Sequence, residues 1–142
     1  MTAPPSPIEA YLDALQSLKP ETIADLMALC RPDVRFKDPF NDVQGQADFA
    51  HVLQHMFRKL SDLRFVVTRR SGGGEVWFLA WHLHGRSRLL GKIELDGTSL
   101  IVLDENGKVA SHIDHWDATE QLYGRLPVIG GLFRIIRRAF RA

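Results

Sequence analysis

The chain has 142 residues, 45% of them hydrophobic and 25% charged, with a formal net charge of +1. That is the make-up of one ordinary globular domain, and a lone cysteine, Cys30, excludes an internal disulfide framework. Arg125, Arg134, Arg137, Arg138 and Arg141 follow Glu120 with no acidic residue among them, so a basic tail hangs on a mildly acidic body, which argues against a nucleic-acid groove across the domain.

The opening MTAPPSPIEA has neither the basic nor the apolar stretch of an export signal, and no apolar run approaches the ~20 residues of a spanning helix. A cytoplasmic location is expected. Residues 1–6 read as a disordered lead-in to a single domain over 1–142, with 118–142 as a helical extension. Ser6-Pro7 has the form of a helix cap followed by proline in the first turn. Ile8, Tyr11, Leu12, Leu15 and Leu18 then recur at helical spacing, and Pro20 ends the run. PETIADLMALC reads as a second short helix, stopped by Arg31-Pro32.

VRFKDPF alternates and ends at Asp38 before Pro39, which predicts a short strand. After Gly45 a third helix carries Phe49, Val52, Leu53, Met56, Phe57 and Leu60 as its apolar stripe. The period then changes from 3.6 to 2. LRFVVTRR, GEVWFLAWHLHG, GTSLIVLD and KVASHIDHW read as strands, parted by SGGG and by the turn signal DENG. The segment between Gly85 and Asp96 reads as a further strand or an extended arm. Helices first and strands afterwards mean α+β, with helices laid on one face of an antiparallel sheet. A strongly curved sheet closed by helices is cone-shaped, and its interior is a natural ligand cavity.

In LPVIGGLFRIIRRAFRA, residues Ile129, Leu132, Phe133, Ile136 and Phe140 make an apolar stripe with the arginines mostly opposite. Three readings compete for it: a lid packed across the cone, a partner-binding helix, and a membrane-surface helix over residues 128–142. The lid ranks first.

Four short pieces, EAYLDAL, VRFKDPF with Gly45 soon after, LDENGKV and HIDHWD, together resemble the nuclear transport factor 2-like superfamily, in its SnoaL-like and ketosteroid isomerase-like branch. The resemblance implies a cystatin-like α+β barrel, a cone-shaped antiparallel sheet wrapped on N-terminal helices. Such members include isomerases, cyclases, hydrolases, dehydratases and proteins that only bind. In the isomerases an aspartate base works beside an oxyanion hole made by a tyrosine and a protonated aspartic acid. Carried onto this chain, the base falls on Asp38, the tyrosine on Tyr11, and the second carboxyl position on Ser99. A hydroxyl there donates one hydrogen bond but holds no acidic proton.

Alternation along a strand sorts SHIDHWDA into two faces. His112, Asp114 and Trp116 share one, and Ser111, Ile113, His115 and Asp117 the other; in the resembling proteins the first set faces the cavity. The same counting sends Trp77, Leu79, Trp81 and Leu83 inward and Phe78, Ala80 and His82 outward. The expected catalytic groups are therefore Asp38, Tyr11, His112 and Asp114, with Trp77, Trp81, Ser99 and Trp116 against the substrate. Two bland alternatives stand beside this: His112 and Asp114 as a satisfied buried pair, and Asp38 as a turn former before proline. One strand face supplies two metal ligands where zinc or iron needs three, so no metal is assigned, and no cofactor. His51 and His55 lie off their helix's apolar stripe and are expected in solvent. The expected partners are a small hydrophobic molecule and a second copy of the chain, docked through Phe78, Ala80, His82, Val102 and Ile113. No nucleic acid is expected.

The function these readings suggest is a cofactor-independent acid/base enzyme (isomerase, cyclase, dehydratase or hydrolase). The alternatives are a non-catalytic ligand-binding or dimerisation module, and a peripheral membrane protein.

Overall fold

The first helix, α1 (Pro7–Gln16), begins where Ser6 and Glu9 cap each other: the Ser6 side chain accepts from the Glu9 amide and the Glu9 carboxylate accepts from the Ser6 amide. It buries Ile8, Tyr11, Leu12 and Leu15. A computed structural model describes residues 3–122 and 127–141 of the chain. In it a 3-10 turn at Pro20–Thr22 leads into α2 (Ile23–Ala28), then β1 (Cys30–Lys37), β2 (Asp42–Gln44) and α3 (Gln46–Lys59). The four strands that follow differ in length. β3 (Leu60–Gly73), β4 (Val76–Ser87) and β5 (Gly91–Leu103) run as long hairpins, and β6 (Val109–His115) is shorter. Short α4 (Ala118–Gln121) and α5 (Pro127–Phe140) follow.

The six strands form one sheet in the order β2-β1-β6-β5-β4-β3. All pairings are antiparallel except β1 with β6, which is parallel, so the sheet is mixed and not wholly antiparallel as the sequence suggested. β1 takes in Arg31 and Pro32, which the sequence placed as the stop after the second helix. A register shift between Cys30 and Arg35 accommodates the proline there. The stretch from Gly85 to Asp96 is the end of β4, a tight turn and the start of β5, paired Ser87 with Gly91 and His82 with Asp96. The DENG turn closes β5 onto β6: Asp104 Oδ1 accepts from the Asn106 and Lys108 amides, and Gly107 takes φ +78°, a left-handed value that favours glycine.

Bulges in β3, between Ser61 and Arg64 and between Val67 and Arg69, bend the sheet around the helices. α1 lies against β3, and α3 against β1 and β3. The core is the filling of that curve: Tyr11, Leu26, Val34, Phe36, Phe49, Leu79, Trp81, Ile101 and Val109 among others. Phe36 and Phe49 stack with ring centroids 4.5 Å apart. The fold is the α+β cone that the sequence implies, with the sheet curved but left open at β2 and β3.

Among the described residues no helix is long and apolar enough to cross a membrane. Among its described side chains, α5 does not bury the apolar stripe that a lid requires. Leu132, Ile136 and Phe140 of its apolar stripe are 57%, 47% and 87% exposed, and Ile135 beside them is also exposed. The side chains of Ile129 and Phe133 lie outside the described residues.

Candidate functional site

The parallel pairing of β1 with β6 decides where the site forms. Parallel strands end at the same side, and the register sets Phe36 opposite His112 and Lys37 opposite Ile113. Asp38, just past the end of β1, therefore comes beside Asp114 near the end of β6. Both line one depression of about 470 Å³, with Lys37, Pro39, His115, Trp116 and Asp117 around it. It is open to solvent, not an enclosed chamber.

Behind it lies a chain of hydrogen bonds. The Tyr11 hydroxyl is 2.7 Å from His112 Nδ1, and His112 Nε2 is 2.8 Å from Asp114 Oδ1. The indole N–H of Trp81 donates to Ser99 Oγ at 2.7 Å, and the Ser99 hydroxyl donates to that same Asp114 Oδ1. Burial holds the Tyr11 phenol well above its ordinary pKa, with the nearby Cys30 and Asp114 adding to it, so Tyr11 keeps its proton. Its O–H then donates to Nδ1, which leaves the proton of His112 on Nε2 to donate to the carboxylate. Every donor in the chain points toward Asp114. Both bonds to Asp114 end on Oδ1, and among the described residues Oδ2 has no protein partner. The carboxylate is partly exposed while His112 is buried.

Aromatic rings fix His112 on three sides. Tyr11, Phe36 and Phe49 meet it edge-to-face at centroid distances of 5.8, 5.4 and 6.0 Å. With Tyr11 on one nitrogen and Asp114 on the other, the imidazole has no freedom to turn.

Several expected roles change. Tyr11 does not line the depression; it is fully buried and its hydroxyl is taken by His112. Ser99 and Trp81 are likewise buried in the network and not on the wall of the depression. Trp77 stands at the far end of β4, its N–H donating to the Gly74 carbonyl at 3.0 Å, and does not line the depression. Asp38 does, but its carboxylate is engaged: Oδ1 accepts from the Phe40 and Asn41 amides at 2.8 and 2.7 Å, and the Asn41 side chain reaches both oxygens. The turn-forming role is present whatever else Asp38 does. Trp116 is on the wall, with Phe40 edge-to-face against it at 5.4 Å.

Two participants escape the sequence reading. Lys37 is among the residues lining the depression, and Phe40 packs against the Trp116 ring. Both flank Asp38-Pro39, so the strand-end motif was their only signal. His51 and His55 are exposed, as expected.

The sequence matches the family model of the SnoaL-like domain over residues 8–112. No curated protein matches it. Solved structures share the architecture at low identity. A protein of ketosteroid isomerase-like fold from Catenulispora acidiphila, solved in complex with trimethylamine, is 12% identical with a TM-score of 0.70, over 84% of this chain and 92% of that one. An NTF2-like protein from Exiguobacterium is 18% identical with a TM-score of 0.68, over 79% and 98% of the two chains. An LEH-like epoxide hydrolase from M. tuberculosis is 17% identical with a TM-score of 0.64, over 96% and 94%. At such identities the likeness is one of fold. The family model itself runs from the first helix to the histidine at the centre of the hydrogen-bond chain, and the protein belongs to the SnoaL-like domain family.

Proposed function

We propose that this protein takes a small, largely apolar molecule into the depression at the shared end of β1 and β6 and acts on it by acid/base chemistry, without a cofactor, with Asp114 as the base. The observation that carries this reading is the asymmetry of Asp114: Oδ1 is held by His112 and Ser99, and Oδ2 is left open beside the depression. Two donors on one oxygen orient a carboxylate without consuming the other. The proton removed comes either from carbon next to a carbonyl or from a water that then attacks. The second route is the one suggested by the epoxide hydrolase among the structural neighbours. Trp116, with Phe40 packed edge-to-face against it, is the apolar wall.

Tyr11 and His112 act here as positioning residues. They hold Asp114 and touch no substrate. The alternative from a different class is a module that binds the same molecule and leaves it unchanged.

The test is a panel of small epoxides and α,β-unsaturated ketones, assayed with the wild-type protein and with Asp114→Asn. Turnover by the wild type that drops by about 100-fold or more in the variant supports the reading. Equal rates in both would overturn it. Saturable binding with no turnover of any compound moves the protein to the binding class.

A second reading, association with an anionic membrane surface, is favoured by one observation: Leu132, Ile135, Ile136 and Phe140 of α5 are exposed, helical spacing sets Arg134, Arg137 and Arg138 on the other side of the helix, and Arg141 follows its end.

A further inference from the structure

We propose that His82, His84 and Glu94, with Asp96 beside them, form a binding site for a first-row divalent transition ion of the zinc type on the outer face of the sheet. Alternation places both histidines on the outer face of β4, and the antiparallel register sets Asp96 opposite His82 and Glu94 opposite His84. Two imidazoles and two carboxylates thus stand at the corners of one cross-strand rectangle. One ligand atom from each of His82, His84 and Glu94 lies within 4.8 Å of the other two. His82 Nδ1 is 2.6 Å from Asp96 Oδ1, His84 Nδ1 is 3.2 Å from Glu94 Oε1, and the two imidazole centroids are 5.3 Å apart.

Two imidazole nitrogens and one carboxylate oxygen are a donor set that zinc accepts, with a fourth position left for water or for Asp96. Tetrahedral zinc with bonds of ~2.0–2.1 Å holds its ligand atoms about 3.4 Å apart, so the side chains need close in by only about an ångström. The backbone beneath them is fixed on both sides, because β4 pairs with β3 and with β5. Asp96 has a second use in the same place, as the carboxylate that orients the His82 ring. The competitor is Lys92, whose ammonium lies 3.1 Å from Glu94 Oε1 and holds that carboxyl below its usual range. Arg64, paired with His84 across β3, adds a second nearby cation. An entering ion must displace Lys92 from Glu94. The depression with Asp114 lies elsewhere on the sheet, so this site stands whether or not the acid/base reading does.

The experiment is calorimetric titration of the chelator-treated full chain with zinc chloride, repeated on His84→Ala, Glu94→Gln, Lys92→Ala and a His51→Ala/His55→Ala double variant. Expected are one ion per chain, binding weakened by more than about tenfold in His84→Ala and Glu94→Gln, and tighter binding in Lys92→Ala. The helical pair His51 and His55, one turn apart and exposed, is the control, and its removal should change nothing. Melting curves without zinc check that each variant is folded. No saturable binding to the wild type, binding that persists in folded His84→Ala and Glu94→Gln, or binding lost in the His51/His55 variant would each overturn the site.

Discussion

His112 Nε2 stands 2.8 Å from Asp114 Oδ1, although the two residues are neighbours on one strand face and could have pointed past each other. What turns them together is the far end of the imidazole, which the Tyr11 hydroxyl fixes from a helix 101 residues earlier in the chain. Without that anchor the buried imidazole would carry an unpaired Nδ1. With it, the pair becomes a directed line of donors ending on one carboxylate oxygen, and the other oxygen is available for chemistry.

Removing the anchor should therefore cost both stability and orientation. Tyr11→Phe keeps the ring in the core but leaves buried His112 Nδ1 without its donor, an unpaired polar atom worth about 1–3 kcal/mol. Urea unfolding should show a loss of that size. Any turnover should fall through kcat more than through KM, since the phenol touches no substrate. Unchanged stability would mean that His112 finds another partner.

Asp38 is expected to behave differently from Asp114. Asparagine at position 38 still offers an oxygen to the Phe40 and Asn41 amides, so Asp38→Asn should stay within about 0.5 kcal/mol of the wild type. Asp38→Ala strands those amides and should cost about 1 kcal/mol or more. If Asp38 were the base instead, Asp38→Asn would abolish turnover while leaving the melting curve alone. Measuring both properties on both variants separates a turn former from a catalyst.

How much of this was legible follows from the range of the interactions. The Ser6 cap is local, and Ser6-Pro7 suffices to see it, although its reciprocal partner Glu9 three residues on was not singled out. Alternation is also local, so the faces of β4, β5 and β6 were readable residue by residue, including the shared face of His112, Asp114 and Trp116. The parallel β1–β6 pair joins residues near 36 to residues near 112 and leaves no local pattern, so the mixed sheet was not foreseen. The three-residue β2 is too short to carry a period. Gly97 makes the point sharply. A Cβ there would come within 2.4 Å of the Trp81 ring, so only glycine lets the indole lie flat and reach Ser99. Its necessity shows only once the ring has been placed. Tyr11 was recognised as a buried tyrosine, yet its partner depends on the closed fold.

Alkaline pH should destabilise the protein ahead of general unfolding. Burial pushes the Cys30 thiol up to about 12 and raises the Tyr11 phenol well above 10. Both groups hold their protons in the folded state at a pH where the unfolded chain has released them. The stabilisation is then complete below the unfolded values, ~8.5 for a thiol and ~10 for a phenol, and is lost as pH rises toward the folded ones. Each group contributes a slope of about 1.4 kcal/mol per pH unit in its window. Melting temperature followed from pH 7 to 11 should fall from about pH 8.5 onward, and Cys30→Ala should flatten the first part of that fall. A slope unchanged in Cys30→Ala would assign the effect elsewhere.

The outer face of the sheet should pair two copies of the chain. Phe78 is 57% exposed there, with half-buried Leu100, Val102 and Ile113 beside it, at the end of the face away from His82 and His84, and this is more apolar surface than a solvated sheet face carries. Sedimentation at micromolar concentration should give a dimer for the wild type and a monomer for Phe78→Asp. A monomeric wild type would remove the proposed interface.

The tail separates two kinds of protein. Were α5 a lid, burying Leu132, Ile136 and Phe140 would contribute about 1.5–3 kcal/mol each, a large part of a domain's marginal stability. In the structure those three side chains face solvent, and the salt bridge from Arg137 to Glu120, at 3.6 Å, is exposed on both sides and worth little. Removing residues 127–142 should therefore leave the melting temperature of the remaining domain almost unchanged. It should abolish binding to vesicles rich in anionic lipid, where each arginine contributes about 1 kcal/mol and the apolar face enters the interface. That binding should also weaken as salt rises, because the arginine part is screened. A truncated protein that melts many degrees lower would return α5 to the role of a lid. Equal vesicle binding with and without the tail would end the membrane reading.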